Sequence, residues 1–328
     1  MSELFHPDPQ WLRDRWERRV RDRIFDGARS SPSPVVVLVG GQPGAGKTAA
    51  AARSAQLHPT ERLTVLEGDD YRQFHPDYKR LVRLDPLRMP AVTQEVSGPM
   101  VAAAVNHAQR EKISVTIEGT FRDSELVTAT AGEFHQAGFY VHAVVVAVQP
   151  VQSLISTVDR YVSAIENDRD GRWTPVAAHD AALSGMPRTV RALGESQDVD
   201  QVTVMRRDGS VVLDLHRPAS VERGRNAAHA VLEEHRRPLA SVERGIWLQL
   251  YDQLDRTFRD MAVLREIRHD DQVERSWRQL ERARSYILAT TGNSSSTHRP
   301  GPVLEQAPHI GNQLRRESDR ERRGPQGL

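Results

Sequence analysis

A chain of 328 residues that is 38% hydrophobic and 27% charged has the balance of a globular protein with a sizeable core, which excludes fibrous and low-complexity classes. The absence of cysteine excludes disulfide frameworks and thiolate metal sites, and a net charge of +1 gives no global argument for nucleic acid or an acidic membrane as partner. The longest apolar runs, such as Val141–Val148, are too short to span a bilayer and the first residues lack an apolar signal core, so the expectation is a soluble cytoplasmic protein.

Residues 9–27 predict a helix, because Leu12, Trp16, Val20 and Ile24 recur at every fourth place with arginines on the other faces. Its basic side suits either an RNA or acidic partner, or simply the solvated face of a helix laid on the core. Ser30–Pro34 then ends it. Next comes the apolar run Val35–Val39, which leads into Gly41-Gln42-Pro43-Gly44-Ala45-Gly46-Lys47-Thr48. This stretch fits G-x-x-x-x-G-K-[ST], the Walker A phosphate loop. In that motif backbone N–H groups cradle phosphates, the lysine reaches the terminal phosphates and the hydroxyl ligates Mg²⁺. The alanine-rich residues after Thr48 favour a helix whose amino end faces the bound anion.

From Val35 to about Leu215 strands and helices alternate. The expected strands are 35–40, 63–67, 113–118 and 139–148, followed by a hairpin pair, 202–205 and 210–214, turning at Asp208-Gly209. Such alternation predicts an α/β fold with a mostly parallel sheet and helices on both faces. In such folds ligands lie beyond the carboxyl ends of the strands. The second strand there delivers Asp69 and Asp70, and the third delivers Glu118, Thr120 and Arg122. A kinase needs a carboxylate to orient a hydroxyl and accept its proton, which makes Asp69 the candidate base; the alternative is a cap on the following helix. Glu118 suits Mg²⁺ through water or substrate hydroxyls, or else merely ends a strand.

Leu154–Ile165 predicts a helix carrying Arg160. After a polar loop comes Arg172, with Thr174-Pro175 as the start of another helix. Arginine forks hold phosphate oxygens bidentately, so Arg160 and Arg172 are candidates for the charge that develops in phosphoryl transfer. In a chain with 45 Lys and Arg, ordinary solvated arginines are the alternative.

Taken together, Gly41–Thr48, Asp69-Asp-Tyr-Arg-Gln-Phe-His-Pro76, Ile117-Glu-Gly-Thr-Phe-Arg122, Asp159-Arg-Tyr161, Arg172-Trp-Thr-Pro175 and His179-Asp180 resemble the zeta toxin family, in order and at similar spacing over residues 33–215. The resemblance implies a P-loop kinase fold that phosphorylates the 3′-hydroxyl of the sugar in UDP-N-acetylglucosamine with ATP and Mg²⁺, inhibiting cell-wall synthesis. It also implies a small helical antitoxin of epsilon type. Under it, Gly41–Thr48 hold ATP, Lys47 contacts the transferred phosphoryl group, and Thr48 binds the metal. Asp69 deprotonates the acceptor, Glu118, Thr120 and Arg122 line the sugar-nucleotide pocket, and Arg160 and Arg172 clasp the phosphates.

Two positions depart from the family pattern. Its glutamate on the helix after the second strand falls by counting at Val101, with Glu95 as a substitute after a gap, and Phe121 replaces a small residue. Both bear on the acceptor, which leaves a kinase for another small hydroxyl compound, or a nucleotide-dependent switch for a protein or RNA partner, as alternatives. The domain plan is an N-terminal helix in 1–32, a kinase domain in 33–215, a helical region in 216–290 with helices through 246–267 and 272–289, and a tail from 291 to 328. The tail is rich in Ser, Gly, Pro, Arg and Gln and is expected to be disordered.

Overall fold

A strand built from Val35, Val36, Val37, Leu38 and Val39 offers no polar face to water, so it demands cover on both sides. The computed structural model, which describes residues 4–167 and 169–292, supplies that cover. Strand β1 (Val35–Gly40) is buried throughout and lies in the middle of a six-stranded sheet. Helix α3 (Lys47–Leu57) follows it, then β2 (Thr64–Glu67), a 3₁₀ turn (Gly68–Phe74), α4 (Tyr78–Leu84) and α5 (Met89–Glu111). The alternation continues through β3 (Val115–Gly119), α6 (Ser124–Gln136), β4 (Tyr140–Val146), α7 (Pro150–Glu166), α8 (Val176–Glu195) and the hairpin β5 (Gln201–Met205) and β6 (Val211–His216).

The strand order is β2-β3-β1-β4-β5-β6, parallel except for β6 at the edge. Side chains alternate across β1. Val36 and Leu38 join the larger core with Val96 and Met100 of α5, Phe134 of α6 and Met186 and Val190 of α8. Val35, Val37 and Val39 face Ala50 and Ala51 of α3. The expected sheet with helices on both faces is therefore present, and the hairpin turns at Asp208-Gly209, where Gly209 takes a φ of 82°.

The N-terminal stretch departs from a uniform helix. It divides into α1 (Pro9–Arg15), a π-helical turn (Trp16–Val20) and α2 (Arg21–Ile24). Trp16 and Val20 are buried in the core while Arg18 and Arg19 are exposed, so the segment lies on the core with its basic side solvated.

After β6 the chain forms α9 (Val221–Arg236), α10 (Ser241–Asp260), α11 (Ala262–Ile267) and α12 (Asp271–Gly292). The break at Leu215 in the sequence plan does not detach this region. Helices α8 and α9 approach so closely that a Cβ on Gly194 would lie 2.6 Å from Cα of Gly224. Trp247 of α10 donates its indole N–H to Val151 O of α7 at 2.9 Å, and its ring stacks on Tyr251. Tyr251 and Phe258 pack in turn against Trp277 of α12. The single helix expected over 246–267 is interrupted at Met261, which turns to an extended conformation. Residues up to Ser285 make one compact unit and a second begins at Tyr286. Of the tail expected from residue 291, only the last helical residues to Gly292 are described; 293–328 lie outside the described residues.

Candidate active site

The turn between β1 and α3 is shaped by its glycines. Gly44 and Gly46 take φ of 79° and 94°, and a Cβ on Gly44 would stand 2.0 Å from Ser153 O. Gly41 is crowded too, since its Cβ would meet Val146 O and Lys47 Cγ at 3.2 Å. Helix α3 then starts at Lys47 with Gly46 as its N-cap and no side-chain cap among the described residues, which leaves its first N–H groups available to a ligand. That cradle suits an anion such as phosphate. At the second residue of α3 the Thr48 side chain is exposed and makes no hydrogen bond among the described residues, which leaves its hydroxyl available to a hard cation such as Mg²⁺.

The turn is braced from beneath. Gln42 is buried and donates to Val148 O at 2.7 Å and to Ser153 Oγ at 3.2 Å. Ser153 Oγ lies 2.9 Å from His179 Nε2; the other ring nitrogen lies 3.1 Å from Asp180 Oδ1, and Asp180 Oδ2 accepts from Gln279 of α12 at 3.0 Å. Buried His179 and half-exposed Asp180 thus belong to a support that runs from the glycine turn to the C-terminal helices. Burial holds the His179 pKa below its ordinary value despite Asp180.

Across the turn stand the carboxylates. β2 is followed at once by the 3₁₀ turn, which puts Asp69 beyond the carboxyl end of the sheet. Its carboxylate caps no helix. Instead Asp69 Oδ1 accepts from Arg172 Nη1 at 2.7 Å and from Arg72 Nε at 2.9 Å. Burial works against its charge, but Arg172, Arg72 and Arg160 outweigh that and hold its pKa below the usual carboxylate value. Glu118, at the end of β3, has the opposite balance. Burial, with Glu67, Asp69 and Asp70 nearby, pushes it up to about 7 although Lys47 opposes the shift. Its Oε1 is buried without a hydrogen-bond partner, an open acceptor at the centre of the cluster. Lys47 is driven down to about 8, by burial first and by Arg160 and Arg172, with Glu118 and Asp69 opposing.

The arginines come from the segment after β4. Arg160 of α7 donates to Thr174 Oγ1 at 3.1 Å. Arg172 sits beside Trp173, which is buried edge-on against Tyr161, so the backbone carrying the guanidinium is wedged in place. Burial lowers the Arg172 pKa to about 10 against the pull of Asp69.

The fold therefore gathers Lys47, Asp69, Glu118, Arg160 and Arg172 into one electrostatic neighbourhood, with Thr120 half-buried and Arg122 exposed just past β3. Glu95 stands apart. Val92, Thr93, Val96, Ser97 and Met100 form the buried face of α5, and Glu95 falls outside it, pairing with His6 at 2.8 Å. The α5 side chain near Gly68 is Val101, whose Cγ2 lies 3.8 Å from the place of a Gly68 Cβ. Phe121 has a φ of 53° and is buried, its ring lying where a Cβ on Gly40 would be only 2.1 Å away. Arg72 was given no role from the sequence, although an Asp-x-x-Arg spacing within one helical turn is the signal that would have found it.

Comparison with known proteins gives the family and the fold. A family model described as Zeta toxin matches residues 20–217. The toxin PezT of Streptococcus pneumoniae is 31% identical over 189 residues, which cover 57% of this chain and 74% of that toxin. The toxin zeta of Enterococcus hirae is 29% identical over 199 residues, covering 59% and 69% of the two chains. A structure from the pneumococcal PezAT chromosomal toxin–antitoxin system is similar with a TM-score of 0.63 at 24% identity, covering 77% of this chain and 98% of that one. A chain of the AvrRxo1-ORF1:AvrRxo1-ORF2 complex with ATP has a TM-score of 0.51 at 11% identity, covering 89% and 96%.

Proposed function

The chain belongs to the zeta toxin family, and from that premise we propose that it is an ATP-dependent phosphotransferase whose acceptor is the 3′-hydroxyl of the sugar in UDP-N-acetylglucosamine. The observation that carries the proposal is the meeting of the glycine turn, Lys47 and an ionised Asp69 beyond the carboxyl ends of β1 and β2. In this reading the turn is a P-loop. Backbone N–H groups from Gly41 to Thr48 hold the nucleotide phosphates, and Lys47, Arg160 and Arg172 meet the charge that spreads over the transferred group. Thr48 would hold Mg²⁺, which neutralises phosphate charge when bound.

Asp69 accepts the proton of the acceptor hydroxyl as its oxygen bonds to the γ-phosphorus and the bond to the ADP oxygen breaks. A carboxylate held ionised by arginines is always in the protonation state this requires at neutral pH. Glu118, Thr120 and Arg122 line the acceptor side, Glu118 through its open Oε1. Glu95 has no place in the site as proposed, because its carboxylate is taken by His6. A product that blocks cell-wall precursor use would make the protein a toxin acting in the cytoplasm. The pneumococcal toxin–antitoxin system that it resembles supports a small protein antitoxin as partner.

Incubation with ATP, Mg²⁺ and UDP-N-acetylglucosamine should add the mass of one phosphate to the sugar nucleotide. ATP turnover that leaves it unchanged would overturn the acceptor and point to another small hydroxyl compound.

A further inference from the structure

Two arginines reach the same oxygen of Asp69, and they are tied down unequally. Arg172 Nη1 and Arg72 Nε both donate to Oδ1, so Oδ2 accepts no hydrogen bond among the described residues. Arg172 is 27% exposed and Asp69 is its one hydrogen-bond partner among the described residues. Arg72 is 8% exposed and both its terminal nitrogens are engaged on α5: Nη1 with Pro90 O at 2.6 Å and Thr93 Oγ1 at 2.9 Å, and Nη2 with Gln94 Oε1 at 3.2 Å. Thr93 is itself buried and donates its hydroxyl to Met89 O at 2.8 Å, so the anchor has an anchor. A cation with one partner can leave for a phosphate. A buried cation with four cannot leave without giving up all of them at once.

We propose that Arg72 is the positioning residue of the transfer: a fixed strut from α5 that keeps Asp69 Oδ2 turned to the acceptor hydroxyl while Arg172 passes from Oδ1 to the phosphate oxygens of the nucleotide. The proposal deepens the phosphotransferase reading and rests on it. With Arg172 on the nucleotide, Arg72 alone orients the carboxylate, and Asp69 becomes a stronger base only once the phosphoryl donor is in place. The titratable and charged groups facing Asp69 come from every side: Arg72 on its own turn, Tyr78 of α4, Arg172 before α8, Arg160 of α7, and Lys47 and Glu118 across the glycine turn.

The test compares Arg72→Gln, Arg72→Lys and wild type in steady-state transfer from ATP to UDP-N-acetylglucosamine. Misplacing a reacting group by about 1 Å costs about 100-fold, so kcat should fall by 10- to 100-fold in both variants while KM for ATP moves less than about 3-fold. The acid limb of the pH profile should move up in Arg72→Gln and much less in Arg72→Lys, which keeps the charge. Unchanged kcat, or an unmoved acid limb in Arg72→Gln, overturns the proposal.

Should Arg72→Gln fail to fold, Thr93→Val and Gln94→Ala each remove one anchor and keep the cation; several-fold lower kcat is expected, and wild-type kcat in both overturns it. A titration of Asp69 by ¹³C-carboxylate NMR, with and without a non-hydrolysable ATP analogue, needs no acceptor. The analogue should raise the Asp69 midpoint in the wild type, and Arg72→Gln should raise it without the analogue. If wild type leaves the sugar nucleotide untouched yet both shifts appear, the acceptor assignment fails and the strut stands. If neither appears, the strut fails whatever the acceptor.

Discussion

Two polar clusters lie against the same sheet, and they are finished differently. Near the amino ends of the strands, His142 is wholly buried on β4 in a closed chain. His58 Nε2 lies 2.9 Å from His142 Nδ1, His142 Nε2 lies 2.8 Å from Thr203 Oγ1, and Thr203 donates to Asp214 Oδ1 at 2.7 Å. Because the threonine proton goes to the aspartate, His142 must donate to Thr203 through Nε2 and accept from His58 through Nδ1, so every donor has an acceptor. At the carboxyl ends, Glu118 keeps a buried oxygen unpartnered, Asp69 spends one oxygen on two arginines, and α3 leaves its amino end uncapped. A closed network stabilises the fold; an open one holds polar groups ready for something that is not protein.

The contrast can be broken most directly at Asp69. Asp69→Ala should cut phosphoryl transfer by about 1000-fold, within the range for losing a general base, while ATP affinity changes only a few-fold. Transfer at the wild-type rate would show that the open cluster serves another purpose.

The closed cluster should answer in stability rather than activity. His142→Leu leaves His58 and Thr203 without their buried partner, and a fall of about 2 kcal/mol in unfolding free energy by denaturant titration is expected. Burial, with His58 next, lowers the His142 pKa to about 3. A base depressed in the folded state is protonated first in the unfolded chain, so its contribution is complete above about pH 6.5 and is lost as pH falls towards 3, at about 1.4 kcal/mol per pH unit. His142→Leu should flatten that slope; an unchanged slope would remove His142 from the account.

The smallest effect should have the opposite sign. Glu118 is raised by burial and neighbouring carboxylates, so its ionisation costs stability as pH climbs from its unfolded value to about 7. Glu118→Gln should therefore gain about 1 kcal/mol at neutral pH in thermal or denaturant unfolding while transfer declines, the exchange expected where a site is kept unfinished for function. A loss of stability would mean that Lys47 depends on that charge more than burial opposes it.

Much of the scaffold was legible because its signals are local. The valine run and the glycine turn after it specify strand, turn and helix within 20 residues, and the strand ends then name Asp69 and Glu118 as residues that must share an edge. Glu95 shows the limit. Counting along the chain puts Val101 at the place of the family's glutamate and a gap would bring in Glu95, but the helical phase of α5 puts Glu95 outside the buried face and beside His6, 89 positions away. Arg72 shows the converse, since three of its four side-chain hydrogen bonds depend on how far α5 folds back over the 3₁₀ turn.

By itself the amino-acid order determined the alternating α/β pattern, the glycine turn and the set of charged residues at the strand ends, because periodicity, backbone freedom and strand direction act over a few neighbouring residues. Only the folded chain decided which of those charges touch. It gave both arginines to one oxygen of Asp69, left Glu118 Oε1 without a hydrogen-bond partner among the described residues, and bound the last helices to the support of the glycine turn, since burial and pairing depend on residues that sequence separates by a hundred positions.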